Sequence, residues 1–313
     1  MSETCRPEVV VVGAGAMGSL IGGLLGEGGI EVTLVDVWAE HVAAIEKDGL
    51  RLIGDTRDRV VPVRATTEPA TIGGAEIVIV QCKALHTVAA VEAARALFGT
   101  DTVAISFQNG LGNEKAIGGI IGMNKVLGGL TAQGSHMVGP GVVRYFGDLP
   151  SYVGELEGGV SARAERIAAA FTSAGLQTTA SPDIRREMWK KLLANVAMSA
   201  VSTITDLTVD EIMAVPELKT VAFNALDEAA AVGRATGIDL DAQATREVIL
   251  KITGKGGTGR NKSSMCTDVL NRRKSEVDFI YGPVVRLGRE HGVPTPVIET
   301  LVSAVKGMES HFA

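Results

Sequence analysis

Short runs of β-branched residues recur along the first half of the chain, each followed by a glycine-rich turn or by apolar residues at helical spacing: VVVVGAG, EVTLVD, EIVIVQC, TVAISFQNG and KVLGGLTAQ. Continuous apolar runs of this length suit strands covered on both faces, and their alternation with helical segments predicts βαβ units and a parallel sheet. After Ser181-Pro182-Asp183 the pattern changes. Helical spacing then runs at about 184–204, 208–237, 241–253 and 264–291, with no convincing strand. The pattern predicts an α/β chain: a Rossmann-type doubly wound parallel sheet over residues 1–182, then an all-helical domain over 183–313. The Gly-rich, basic stretch TGKGGTGRNKSS (253–264) reads equally as a linker or as a lid.

The first strand runs into Gly13-x-Gly15-x-x-Gly18, with Ala16 and Met17 opening a helix of Met17, Leu20, Ile21, Leu24 and Leu25. Three glycines at this spacing mean little among 38 glycines. Between a strand and a helix they are the dinucleotide fingerprint, in which the backbone approaches a pyrophosphate closely. A second strand at 30–36 ends on Asp36, 23 residues after Gly13. A carboxylate there accepts hydrogen bonds from the ribose hydroxyls of NAD, whereas the 2′-phosphate of NADP would bring like charges to about 4 Å, a repulsion of several kcal/mol. No Lys or Arg stands between Asp36 and Lys47 to reverse that preference. A plain turn or helix-capping role is the other reading of Asp36.

Composition narrows the field. With 313 residues and 46% hydrophobic content the chain can bury two cores, and 36 acidic against 30 basic side chains give a formal charge of −6. No basic face is implied, so nucleic acid is not an expected partner. Cys5, Cys82 and Cys266 are odd in number and form no CxxC pair, which predicts neither a disulfide framework nor a metal site and fits a reducing, cytoplasmic compartment. The start, MSETCRPE, lacks the features of a signal peptide, and no apolar run is long enough to span a membrane.

Ligands of open parallel sheets collect beyond the carboxyl ends of the strands, which singles out Lys83 after EIVIVQC and Asn109 after TVAISFQ. Either reads as a cofactor contact or as a solvated loop residue. Gly110 permits a tight turn that would hold Asn109 against a nicotinamide ring or a substrate. The helix RREMWKKLLANVAMSAVSTIT is more informative. Its later half is apolar nearly all round, so it is expected to be buried, yet Lys191, Asn195 and Ser199 recur every four residues, within an arc of about 80°. Burying unpaired polar groups costs several kcal/mol, so the stripe should face a cavity, a partner or a ligand. The plainer alternative for Lys191 is a pair with Glu187; Lys190 points about 100° away, toward solvent. Further on, Ser263 or Ser264 caps a helix or meets a ligand, Glu276 is a first-turn acid or a site residue, and Arg272, Arg273 and Lys274 read as a solvated charge run.

Taken together, GAGAMG, the strand-end lysine of CKA, QNG, WKKLLANV, SSMCTDVLNRRKSEVDFIYG and GREHGVPTPV resemble the ketopantoate reductase family over nearly the whole chain. The resemblance implies a Rossmann domain followed by an all-helical domain with the active site in the cleft between them, a nicotinamide cofactor and a small-molecule 2-oxo acid substrate. It implies Lys191 as general acid, Glu276 as its acidic companion and substrate ligand, and Asn109, Asn195 and Ser264 as substrate-orienting groups; Ser199, on the same stripe, is read as a further substrate contact. Gly13, Gly15, Ala16, Met17, Gly18, Asp36, Lys83 and Asn109 would serve the cofactor. Two departures stand out. Pantoate-making members usually prefer NADP and carry an arginine where this chain has Val37 after Asp36, and they often have a second asparagine where it has Ser199. The expectation is reduction of 2-dehydropantoate to pantoate, preferring NAD with NADP left open. Reduction of other branched or aromatic 2-oxo acids to D-2-hydroxy acids is the alternative, a non-catalytic dinucleotide sensor the contrasting class, and a homodimer is left open.

Overall fold

The structure is a computed structural model describing residues 8–147, 149–253 and 259–312, so Cys5 and residues 254–258 of the Gly-rich 253–264 stretch lie outside the described residues. The chain forms two compact units: Met1–Gln108 with Asn113–Ile184, and Asn109–Gly112 with Arg185–Ala313.

The first unit is built on β1 (Val9–Val12), α1 (Ala16–Glu27), β2 (Val32–Val35), α2 (Ala39–Asp48), β3 (Leu50–Ile53), β4 (Asp58–Val61), β5 (Arg64–Thr66), β6 (Ile77–Val80), α3 (Thr87–Ala93), β7 (Val103–Ser106), α4 (Asn113–Ile121), β8 (Val126–Thr131), β9 (Gly134–Gly139), β10 (Val142–Phe146), β11 (Ser151–Gly154), α5 (Ala162–Ser173) and β12 (Thr178–Ala180). Its main sheet has eight strands in the order β12-β11-β8-β7-β6-β1-β2-β5. The expected strands are its centre, β8-β7-β6-β1-β2, all parallel, while β11 joins β8 antiparallel. Helices cover both faces, which is why these strands are unbroken apolar runs: Val9 and Val11 enter one core, Val10 and Val12 the other. Val12 lies level with Val35 and Val80, and Val80 with Ser106. The residues just beyond those strand ends therefore lie along one edge of the sheet.

A second, four-stranded sheet, β4-β3-β10-β9, was not anticipated. It forms where a hairpin (β3-β4) meets another (β9-β10) through a parallel pairing of β10 with β3. Helix α1 packs against β1 and β2 of the main sheet and against β3, β9 and β10 of the second.

The second unit holds helices and no strand among its described residues: α6 (Ile184–Thr205, from Arg185 on), α7 (Val209–Ala214), α8 (Pro216–Ala235), α9 (Ala242–Thr253), α10 (Ser264–Leu270), α11 (Val277–Ile280), α12 (Gly282–His291) and α13 (Pro296–Glu309). Two expected helices are broken. The 208–237 segment divides at Val215, whose extended backbone is the conformation favoured before Pro216. The 264–291 segment is three helices, the first ended by Arg272 in the left-handed region at φ 54°. The core gathers around α6, with Leu193, Val196, Ala197 and Ala200 fully buried.

Candidate active site

In the first unit, Gly13, Asp36 and Lys83 follow β1, β2 and β6, and the glycines are explained by what surrounds them. Gly13 has φ 99°, and a Cβ there would lie 2.3 Å from the Cys82 nitrogen. A Cβ on Gly18 would lie 1.9 Å from the Gly13 oxygen, so only glycine lets α1 start this close to the strand. Gly15 is the opposite case: a Cβ there meets nothing within 4 Å. It is the N-cap of α1 and supplies no side-chain cap for the first N–H groups of the helix, those of Ala16 and Met17 among them. The Met17 sulfur, further in, accepts a hydrogen bond from Ser135 Oγ (2.9 Å).

Asp36 Oδ1 accepts a hydrogen bond from the Trp38 backbone N–H (2.9 Å), which fixes the carboxylate at the strand end and leaves it acceptor capacity. Val37 beside it is 95% exposed and uncharged. Lys83 is half-buried in the turn after β6. That turn is tied to the end of β7: Gln108 Nε2 donates to the Cys82 carbonyl (2.7 Å) and to Thr87 Oγ1 (2.8 Å). Sequence reasoning missed Gln81, whose buried Oε1 has no partner among the described residues and lies in the segment packed against Gly13. It is an acceptor that a bound molecule with a hydroxyl or amide donor would satisfy.

In the second unit, the stripe on α6 is real. Ser199 is buried at 6% exposure, while Lys191 and Asn195 are half-buried among buried Leu192, Leu193 and Val196. Burial lowers the Lys191 pKa from 10.5 to about 8, although the charge of Glu276 pulls it back up. Glu276, itself buried, stands at the N-cap of α11 and makes no side-chain cap bond. Glu187 is engaged by exposed Lys190 (2.8 Å), which removes the plainer explanation of Lys191. Ser263, not Ser264, caps α10: its Oγ accepts from Cys266 N–H (3.0 Å) and lies 3.2 Å from the Ser199 carbonyl oxygen, to which it donates. That ties the start of α10 to α6 and leaves Ser264 exposed at its first turn. The Asn109 segment belongs to this unit because Leu111 N–H donates to the Phe279 carbonyl (3.1 Å) on α11. Gly110, at φ 89°, makes that approach: a Cβ there would lie 2.2 Å from the same oxygen.

Another residue the sequence did not single out is Tyr281, fully buried. Its hydroxyl accepts from Ala200 N–H (2.8 Å) and donates to the Val196 carbonyl (2.8 Å), pinning α6 between Asn195 and Ser199. Arg272, Arg273 and Lys274 are exposed, as the charge run implied.

The family described as Ketopantoate reductase PanE/ApbA matches residues 9–158, and its C-terminal counterpart matches residues 183–309. The chain is 34% identical over 303 residues to the 2-dehydropantoate 2-reductase of Archaeoglobus fulgidus, covering 96% of this chain and 98% of that one. It is 33% identical over 300 residues to the protein of the same name from Halobacterium salinarum, covering 95% and 97%. Among solved structures, a PanE/ApbA family ketopantoate reductase from Ralstonia eutropha superposes with a TM-score of 0.88 at 30% identity, covering 97% of this chain and 98% of that one. A D-mandelate dehydrogenase complex with NADH and anilino(oxo)acetate superposes with a TM-score of 0.92 at 27% identity, covering 97% and 99%.

Proposed function

The chain belongs to the ketopantoate reductase family, and from that premise we propose that it is an NADH-dependent reductase of 2-oxo acids, with 2-dehydropantoate as the leading substrate. The observation that carries the reading is Lys191: an ammonium in an otherwise apolar helix, desolvated to a pKa of about 8, with the carboxylate of Glu276 acting on it.

The dihydronicotinamide, when bound, supplies the hydride to the carbonyl carbon. What this chain supplies is the rest. Charge develops on the ketone oxygen, and the Lys191 ammonium stabilises it and then gives it a proton, leaving a 2-hydroxy acid. A pKa of about 8 leaves Lys191 mostly protonated near neutral pH yet a stronger acid than an exposed lysine. Glu276 keeps enough charge on Lys191 for that role. Asn109, Asn195, Ser199 and Ser264 orient the substrate. In the first unit, Gly13, Gly15, Ala16, Met17 and Gly18 receive the pyrophosphate, Lys83 adds a cation, and Asp36 grips the adenosine ribose. With Val37 offering no charge to a 2′-phosphate, NADH is the preferred donor.

A second substrate reading, reduction of bulkier aromatic or branched 2-oxo acids, is favoured by Ser199 and by the likeness to D-mandelate dehydrogenase. A sensor without catalysis has no use for a desolvated lysine. The test is one panel: 2-dehydropantoate, an aryl 2-oxo acid and a branched aliphatic 2-oxo acid, each with NADH and with NADPH, followed by cofactor absorbance. We expect turnover of 2-dehydropantoate, with a kcat/KM for NADH above that for NADPH by about tenfold, which needs about 1.4 kcal/mol. Absence of turnover throughout would sink the reductase reading; equal use of NADPH would sink the assignment of Asp36.

A further inference from the structure

His41, on α2, is completely buried, and each of its ring nitrogens is engaged. The Gly141 backbone N–H, from the turn between β9 and β10, points at Nδ1 (2.9 Å). Ser19 Oγ, on α1, lies 3.1 Å from Nε2 and donates its own proton to the Ala14 carbonyl (2.7 Å). A backbone N–H only donates, so Nδ1 must accept and the ring proton is assigned to Nε2. The whole chain then runs one way: Gly141 N–H to His41, His41 to Ser19, Ser19 to the Ala14 carbonyl.

Ala14 is the residue between the first two glycines of the turn. In a planar trans peptide the carbonyl of one residue and the N–H of the next point in opposite directions. Drawing the Ala14 carbonyl inward onto Ser19 therefore turns the Gly15 N–H outward, at a residue that is exposed and has open space around it. We propose that His41 is a positioning residue for the cofactor: through Ser19 it holds the peptide between Ala14 and Gly15 in the orientation that presents the Gly15 N–H to the dinucleotide pyrophosphate. This rests on the reading of the glycine turn as a dinucleotide site. It makes cofactor affinity sensitive to acid. Protonated His41 would set an N–H at Nδ1 against that of Gly141, a repulsion that pushes the ring out of its seat and takes its bond to Ser19 with it, which the mere loss of the Gly141 bond would not do. The groups facing the ring are Ser19 from α1, Gly141 from the β9-β10 turn, the Ala14 carbonyl, Trp38 stacked at 5.3 Å, and the charge of Asp36 from the end of β2. Burial holds His41 below the usual histidine range against the pull of Asp36, so the ring is neutral at physiological pH.

Two substitutions divide the ring's bonds. Glutamine places an amide N–H where Nε2 stands and keeps the bond to Ser19; asparagine places a carbonyl where Nδ1 stands and keeps only the bond from Gly141. Titrating NAD+ calorimetrically into the wild type, His41→Gln, His41→Asn and Ser19→Ala, with melting temperatures on the same samples, separates the roles. We expect His41→Gln to bind within about twofold of wild type, and His41→Asn and Ser19→Ala to bind about tenfold more weakly, the effect of one well-placed hydrogen bond. Wild-type affinity should also fall as the pH is taken below the usual histidine range, while His41→Gln stays level. Wild-type binding by His41→Asn or by Ser19→Ala, or the same pH dependence in His41→Gln as in wild type, overturns the proposal. Should either His41 variant fail to fold, Ser19→Ala decides alone. Failure of the wild type to bind NAD+ instead removes the dinucleotide reading, and this inference with it.

Discussion

Replacing Glu276 by glutamine should move the pH dependence of catalysis in a known direction. The Lys191 pKa stands at about 8 instead of 10.5, so holding the ammonium charged in the folded protein costs about 3 kcal/mol at about 1.4 kcal/mol per tenfold. That figure is already a compromise, because burial lowers the pKa and Glu276 raises it. Proton donation to the ketone oxygen needs the ammonium, so kcat/KM for reduction should be level at neutral pH, halve near pH 8, and fall to about a tenth near pH 9. Oxidation of the 2-hydroxy acid needs the neutral amine as base and should rise over the same interval. Glutamine keeps the shape of Glu276 and removes its charge, which acts on Lys191 with about 1–3 kcal/mol at the effective dielectric of a protein. The reduction profile of Glu276→Gln should therefore fall roughly one pH unit earlier or more. The assay is kcat/KM against pH in both directions with NADH and NAD+. A Glu276→Gln profile that lies on the wild-type curve, or above it in pH, refutes the pairing; a wild-type reduction rate that rises through pH 8 refutes Lys191 as the acid. The position of the fall is the diagnostic, since lost substrate contacts would lower its height alone.

Two further outcomes bear on the same machinery. Lys191→Ala should lower kcat by about 10²–10⁴ with NADH affinity unchanged, whereas Lys190→Ala, whose partner Glu187 is an i,i+3 contact worth about 0.2–0.5 kcal/mol, should be close to wild type in steady-state kinetics. Asp36→Ala combined with Val37→Arg should shift the NADH/NADPH ratio of kcat/KM toward NADPH by about tenfold or more, through removal of a repulsion and gain of a phosphate partner, and an unchanged ratio would place cofactor choice elsewhere.

The central strands were legible because burial on both faces leaves them unbroken valine and isoleucine, a signal independent of distant partners. The second sheet was not. Its strands LRLI, DRVV and GSHMVG mix exposed positions with half-buried or buried ones, and the pairing of Arg51 with Val142 joins segments separated by β5 to β8 of the main sheet. The break at Val215 was signalled by Pro216, but apolar spacing ran through it and took precedence. In the site, Lys191, Asn195 and Ser199 stood out as polar positions in a helix that had to be buried. His41 and Ser19 could not: in sequence one belongs to a surface-like helix and the other to the first turns of a glycine-rich one, and only the arrival of Gly141 from the second sheet joins them. Either Ser263 or Ser264 could start the helix on sequence alone, and backbone geometry makes Ser263 the cap.

Helix α1 carries a consequence for the order in which this protein is assembled in time. Its interior glycines are imposed from two sides: a Cβ on Gly22 would lie 2.4 Å from Leu34 of the main sheet, and one on Gly23 2.9 Å from Leu50 and Leu52 of the second sheet. Gly26 is held in the same way by Val63 (2.6 Å). Each costs about 1 kcal/mol of helix propensity relative to alanine, so α1 has little tendency to form alone. It becomes a helix when both sheets are in place, and the second sheet needs β3 and β10 to find one another across much of the unit. Contacts of that sequence separation form slowly. The helix whose N-terminus we propose to receive the cofactor should therefore be among the last elements to set, leaving a nascent or partly folded chain without a formed glycine turn.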